Sequence, residues 1–421
     1  MRVLAVADSD SYVKWGAAVL DRMPEEWTRS IVVLATPALP SAKQLAAALA
    51  DTDFDPDATP VLDLADLADR LAVEQPDVVL LSVRGPVVRV LVRTIVGAVE
   101  RRPVIVSGLP GISIPATRKA LYYRAQTDFM LLHSKREIRE FGELAEQMGI
   151  VQDFGLAALP FLPTRLDGRE LGGDIVFAAQ AKVPRAREDR LLVLRWLVEA
   201  ARRHPERRVV IKVRAVAGEQ QTHAEKYPYD RLLARLGPLP ENLVIEGGSM
   251  SKHLDRAAAL VTVSSTAAIE AAALGVPVLA IDDFGVSAEL INVVFEGSGL
   301  LGSSRALVAG DFRRPSETWL DDNYFHDVLA DDWTEGIEQL VRDRASGPFP
   351  LRTQYRGSFG GNLRRIWDRK RALGAYDRTL SGYLAMAVGI PARWLVLLVR
   401  WPVRLLRRRR ATLARVSVPV G

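Results

Sequence analysis

The run VTVSSTAAIEAAALGVPVLAI, residues 261–281, places Ser264, Ser265 and Thr266 between an apolar stretch and an alanine-rich one. Three hydroxyls where a strand gives way to a helix can serve two purposes. They cap the helix. Alternatively, with the N–H groups of its first turn and the helix dipole, they hold an anion. Glu270 falls four residues after Thr266, so a strict capping box does not form. Gly275 is placed to end the helix.

Five other stretches carry polar groups at corresponding places. In ADSDSYVKW, Asp8 and Asp10 follow an apolar run directly, and a carboxylate there suits taking a proton from a hydroxyl. Helix capping by Asp10 or Ser11 is the plain alternative. In SGLPGISIPATRKALYYRAQ, Gly108 and Gly111 bracket a proline in a loop that lets a ligand approach the backbone. Arg118, Lys119 and Arg124 add charge that fits an acceptor or a phosphate, or else a solvated helix face. Gln180 and Lys182 follow the strand pattern of DIVFA. Lys212 and Arg214 lie on one side of a strand, where either neutralises a phosphate or joins a sheet-edge charge pair. In IEGGSMSKHL, Glu246 suits a ribose or base, Gly247 and Gly248 permit close approach, and Ser249 or Ser251 caps the next helix.

These groups matter only if one framework brings them together. Short apolar runs such as MRVLAVA, RSIVVLA, PDVVLLSV and PVIVSG alternate with helical patterns, then the alternation restarts at GDIVFAAQA. Strands alternating with helices predict βαβ units and parallel sheets. The fold class is therefore α/β, with two Rossmann-like domains facing a cleft. Ligands of such sheets bind at the carboxyl ends of the strands, which is where the polar groups fall. A Pro- and Gly-rich stretch near residues 155–173 has no periodicity and reads as the linker. The expected division is residues 1–160, residues 161–345, and a tail over residues 346–421.

Composition narrows the chemistry. There is no cysteine, and the five histidines are scattered, so neither a thiolate nor a histidine metal centre is expected. No Walker loop and no G-x-G-x-x-G follows a strand, which removes the usual ATP and NAD signals. The N-terminus turns polar after seven residues, too soon for a signal peptide, so a cytoplasmic body is expected. The net charge of +5 is unevenly spread: from Leu351 onward there are 16 Lys/Arg and two acids, so the rest carries −9. An acidic body disfavours nucleic acid as a partner.

The tail differs. Arg393, Arg400, Arg404, Arg407 and Arg408 recur on one helical face, with Trp394, Leu397, Leu398, Trp401 and Leu405 on the other. A basic amphipathic helix with tryptophans suits an anionic membrane surface, with docking on the body as the alternative. The expected contacts are Arg393, Trp394, Arg400, Trp401 and Arg404, on the inner face of the cell membrane. Pro391, Arg393, Arg400 and Pro402 interrupt the apolar run, so a spanning helix is weakly supported.

VSSTAAIEAAALGVPVLAI resembles the donor-site segment of GT-B glycosyltransferases, and is most similar to bacterial capsule and sialic-acid enzymes. Their second domain carries a Ser/Thr pair before a small-residue helix and a G-x-P strand. The likeness extends over roughly residues 1–345 as architecture. It implies that Ser264 and Ser265 hold donor phosphate. The family's His-Pro dipeptide is absent, and Lys212 and Arg214 stand in its place. The family's acidic base is best matched by Asp10 or Asp8. The resemblance further implies no cofactor, a nucleotide-sugar substrate (a CMP-linked nonulosonic acid by preference) and an envelope glycan or lipid acceptor. A polyol-phosphate transferase of the teichoic-acid type and a sugar-nucleotide epimerase share the fold and are the rival readings.

Overall fold

The computed structural model describes residues 1–162, 170–213, 226–353, 355 and 361–394. The first domain is a seven-stranded parallel sheet. Its strands are β1 (Arg2–Ala7), β2 (Thr28–Leu34), β3 (Val61–Leu62), β4 (Val78–Ser82), β5 (Val104–Gly108), β6 (Phe129–Leu132) and β7 (Asp153–Leu156), in the order β3-β2-β1-β4-β5-β6-β7. Most of these strands are buried along their length, because helices cover both faces and no residue can alternate outward.

The covering helices are α1 (Asp10–Asp21), α2 (Ala42–Leu49), α3 (Leu64–Glu74), α4 (Gly85–Ala98), α5 (Arg118–Arg124) and α6 (Lys135–Met148). Local chemistry sets their ends. Ser41 and Gln44 form a capping box on α2, Asp63 caps α3, and Ser134 caps α6. Gly149 closes α6 in the left-handed conformation that glycine adopts without a Cβ penalty. Helix α3 adds an element to the alternation read from the sequence. Strand β7 occupies the start of the expected linker.

The second domain is a six-stranded parallel sheet. Its strands are β8 (Asp174–Ala178), β9 (Val209–Lys212), β10 (Leu243–Glu246), β11 (Ala257–Thr262), β12 (Val278–Ile281) and β13 (Leu301–Gly302), in the order β10-β9-β8-β11-β12-β13. Around it lie α7 (Arg187–Arg203), α8 (Tyr229–Leu233), α9 (Met250–Asp255), α10 (Ala267–Ala273), α11 (Ser304–Ala309) and α12 (Glu317–Asp322). Each sheet reverses its strand order once, at β1/β4 and at β8/β11.

The chain then returns to the first domain. Helix α13 (Trp333–Ser346) buries Trp333 and Ile337 in the first domain's core beside Phe129 and Ala157. Asp332 accepts from the Leu156 N–H at 2.7 Å, and Arg344 pairs with Asp77 at 3.2 Å. The boundary expected at 345 therefore moves to near 330, because the apolar face of α13 finds its complement on the first sheet. Part of the expected tail docks there too. Helix α14 (Gly361–Leu373) buries Ala372 and Leu373 against α4.

The domains meet through the segment after β5. Ile112 and Ile114 of that loop pack into the second domain's core. Across the same junction, Lys135 pairs with Asp321 at 2.8 Å and Arg139 with Asp322 at 2.6 Å.

Candidate active site

A cavity of about 390 Å³ opens at the carboxyl ends of the second sheet, at its β8/β11 reversal. Doubly wound sheets leave a crevice there because helices depart to opposite faces on either side. Gln180 and Lys182 line it from the β8 loop, Lys212 from the end of β9, and Ser265, Thr266 and Glu270 from the β11–α10 segment.

The serine-threonine segment is held mostly by its own hydroxyls. Thr262 Oγ1 accepts from the N–H groups of Ser264 (3.2 Å) and Ser265 (3.0 Å), and Ser265 Oγ accepts from the Ala267 N–H at 3.2 Å. The expected row of free amides is thus largely satisfied within the loop. Ser264 is buried and donates its hydroxyl to the Ile291 carbonyl at 2.6 Å. That corrects its expected role: Ser264 shapes the loop, while Ser265 and Thr266 reach the cavity.

Lys212 and Glu270 supply the charge. Glu270 is largely enclosed; burial pushes its carboxyl up, while Lys14 and Lys212 pull it back. Lys14 belongs to α1, so a cation of the first domain acts electrostatically on Glu270 without lining the cavity. Two lysines, 182 and 212, line the cavity beside the single carboxylate, which favours an anionic ligand. Gln180 donates its amide to the Ser264 carbonyl, leaving its buried Oε1 without a protein partner. A buried acceptor lacking a donor is costly, and a ligand N–H or O–H would satisfy it.

Asp10 and Asp8 separate cleanly. Asp8 is fully buried, and both its oxygens are taken by Arg84: the backbone N–H at 3.0 Å and Nε at 2.8 Å. Burial raises its pKa and Arg84 opposes the rise. The expected catalytic role for Asp8 is thereby corrected to a structural one. Asp10 is the first residue of α1, partly exposed, one turn before Lys14 on the same helical face. It does not cap α1; the cap position is Ser9, whose side chain makes no capping bond. Helix α1 is anchored by Trp15, whose Nε1–H donates to His133 Nε2 at 2.7 Å. His133 Nδ1 in turn faces the Ala157 carbonyl at 2.8 Å, and burial lowers its pKa to about 4.

Other expectations fall elsewhere. Glu246 is drawn to Arg208 and Arg256, and the Gly247 carbonyl faces His253 Nε2. Glu246, Gly247, Gly248 and Ser249 do not line this cavity; the neighbouring Met250 does. Gly108 is glycine because the Trp15 indole fills the space a Cβ would need. Gly111 adopts φ +156°, and a Cβ there would lie 3.7 Å from Thr266 Oγ1 across the domain junction. Arg118 is exposed at the start of α5 and is not a lining residue. Of these three, Gly108 packs on Trp15 of its own domain, Gly111 approaches Thr266 of the second, and none lines this cavity. Arg214, Arg400, Trp401 and Arg404 lie outside the described residues, while Arg393 and Trp394 are exposed.

The sequence reading passed over Lys14 and Glu270 as candidate site residues, and over Arg84 as the partner of Asp8. A signal for Glu270 existed: it is the lone charge in TAAIEAAALG, whose other residues are almost all buried.

Among the described residues, no group of three or more His, Asp or Glu is placed to hold a metal, and no helix is long and apolar enough to cross a membrane. A protein of Listeria monocytogenes, described as a putative UDP-N-acetylglucosamine 2-epimerase, is similar in structure at TM-score 0.51 and 16% identity. The match covers 84% of this chain and 99% of that one. The pneumococcal O-GlcNAc transferase GtfA, solved with UDP and GlcNAc, gives TM-score 0.48 at 11% identity, over 82% and 99% of the two chains. No curated protein sequence matches the chain. Both sheets have the Rossmann strand order, and the fold is GT-B. A family model described as "Putative glycosyltransferase (DUF6716)" matches residues 3–340, and the chain belongs to that family.

Proposed function

We propose that the chain transfers a sugar from a nucleotide-sugar donor, held in the second-domain cavity, to an envelope glycan or lipid acceptor. The observation that carries this reading is the cavity at the β8/β11 reversal, which Lys182, Lys212 and Glu270 line together with Ser265 and Thr266. Lys212 and Lys182 attract the donor phosphates, with the Ser265 and Thr266 hydroxyls beside them. Glu270 accepts hydroxyls of ribose or sugar, and Gln180 Oε1 accepts one further donor.

In the transfer, the acceptor oxygen bonds to the anomeric carbon as the bond to the leaving phosphate oxygen breaks. The acceptor proton passes to Asp10. Negative charge grows on the departing nucleotide, where Lys212 stabilises it. Lys14, one turn from Asp10, closes the electrostatic circuit across the cleft. Residues Asp10, Lys14, Lys212 and Glu270 are the functional set on this reading.

Calorimetric titration with CMP, UDP and their sugar conjugates tests it, with Lys212→Met alongside. Binding of one nucleotide, weakened about tenfold or more by the substitution, supports the reading. Absence of binding to wild type overturns it. The nucleotide that binds also decides between a CMP-linked nonulosonic acid and a UDP-linked sugar. Nucleotide release that depends on an acceptor separates transfer from epimerisation. Release of CMP with glycerol phosphate on the product would instead identify polyol-phosphate transfer.

A further inference from the structure

Helical backbone over 380–394 follows α14 and carries an uncovered apolar row. Leu380, Leu384, Val388 and Trp394 are 83%, 67%, 55% and 64% exposed, and Tyr383 is 54% exposed. Their spacing puts them on one face, since i, i+3, i+4 and i+7 neighbours stack on a helix. The opposite face is occupied. Ala385 is fully buried, and Gly389 lies so close to Trp367 of α14 that a Cβ would overlap the indole. Arg369 bonds Asp377 at 2.9 Å and Thr379 at 2.6 Å, and Lys370 lies over the Tyr383 ring. The helix is therefore held on α14, which is held on α4, with its apolar row turned outward.

We infer that this row is the docking face for an anionic lipid bilayer, entered to the depth of the headgroup and acyl boundary. Charge selects the occupant. Arg364, Arg365 and Arg371 of α14, and Arg378 and Arg393 on the segment that carries the row, are exposed. Residues 395–421 add seven arginines and no acid. A second copy would bring the same charge to the contact, whereas anionic lipid brings the opposite. Trp at the interface and Arg at the headgroups are the placements these side chains favour. Docking here fixes the first domain on the membrane, because α14 packs on α4. The inference does not depend on the transferase reading.

The test is flotation of the full chain with vesicles of phosphatidylcholine alone or of equal parts phosphatidylcholine and phosphatidylglycerol. Wild type floats with the anionic vesicles, at least about tenfold more than with the neutral ones. L380E/L384E/V388E, altered only at exposed sites, loses that binding about tenfold or more while its melting temperature stays unchanged. Wild type that floats with neither vesicle overturns the inference, as does a triple variant that floats as well as wild type. Sedimentation without lipid is the second readout. A wild-type dimer that the triple variant turns into monomer would assign the face to self-association. Hydrogen exchange protecting 380–394 only when 395–421 is present would assign it to the chain's own C-terminal segment. Either result overturns the inference.

Discussion

Asp8, just past β1, is joined through both oxygens to Arg84, two residues past β4, across the strand-order reversal of the first sheet. The corresponding reversal of the second sheet holds the cavity. One crevice is filled by an ion pair and the other is open to a ligand. On the proposed reading, the first domain's contribution comes from α1, at Asp10 and Lys14, and not from the strand end itself.

Asp8→Asn should destabilise the first domain, since Arg84 loses a charged acceptor. Arg84 is about a third exposed, so water moderates the cost to roughly 1–3 kcal/mol. Thermal unfolding measures the loss. Nucleotide affinity should be unchanged, because Asp8 does not line the cavity. A variant of wild-type stability that fails to bind nucleotide would reverse the assignment.

Asp10→Asn should do the opposite. The side chain's one described bond is a long 3.5 Å contact from Ser11 Oγ, so stability should move little. If Asp10 is the base proposed above, kcat should fall by about 10²–10⁴-fold with KM for the donor near wild type. Steady-state kinetics under saturating acceptor check the split.

Glu270→Gln and Lys14→Met probe the charge that spans the domains. Glu270→Gln should raise donor KM through a lost charged acceptor, by about tenfold. Lys14→Met should act mainly on kcat/KM and lose its effect at high salt, because Lys14 is exposed and its coupling is screened. Equal loss at all ionic strengths would place Lys14 in direct contact with the ligand.

The strands were legible because burial on both faces writes them as continuous apolar runs, as in VLAVA and VVLLS. The carboxyl-end rule then brought Ser265, Thr266, Gln180 and Lys212 to one place, and they line one cavity. What sequence did not disclose was partnership over distance. Nothing in ADSD says that Arg84 takes Asp8, and nothing in SGLPG says that Trp15 fills the space beside Gly108. Helix α13 reads as amphipathic in either domain, and only the core it enters decides its place. Glu270 went unread because one carboxylate in an alanine helix ordinarily marks a solvated face.

Gly108→Ala should destabilise without touching the chemistry directly. The added methyl meets the Trp15 ring, which is itself fixed by His133, so the ring cannot yield cheaply. Overpacking of this kind costs about 1–3 kcal/mol. Because Trp15 follows Lys14 on α1, a shifted indole should also displace Asp10 and Lys14 and, on the proposed reading, lower kcat. Had Gly108 served an acceptor's approach, the variant would keep its melting temperature and raise acceptor KM alone.

Glu137 is a buried acid at the domain junction. It accepts from the Tyr324 hydroxyl at 2.7 Å, the Ser113 N–H at 2.9 Å and the His133 N–H at 2.8 Å. Burial pushes its pKa up from 4.5 to about 7. The folded state then binds more protons than the unfolded state between those values, so its contribution to stability falls as pH rises through that window. His133 acts in the opposite sense, because its folded pKa is lowered to about 4 and stability is lost as pH falls below 6.5. The two slopes offset each other in wild type, so the informative quantity is a difference between variants. Glu137→Gln removes one slope and also costs roughly 1–3 kcal/mol, since its amide presents a donor where three donors already converge. The stability advantage of wild type over this variant should be largest near pH 4.5 and shrink by a few kcal/mol by pH 8. Denaturant unfolding across that range measures it. An advantage that grows with pH would mean Glu137 stays ionised, held by its three donors.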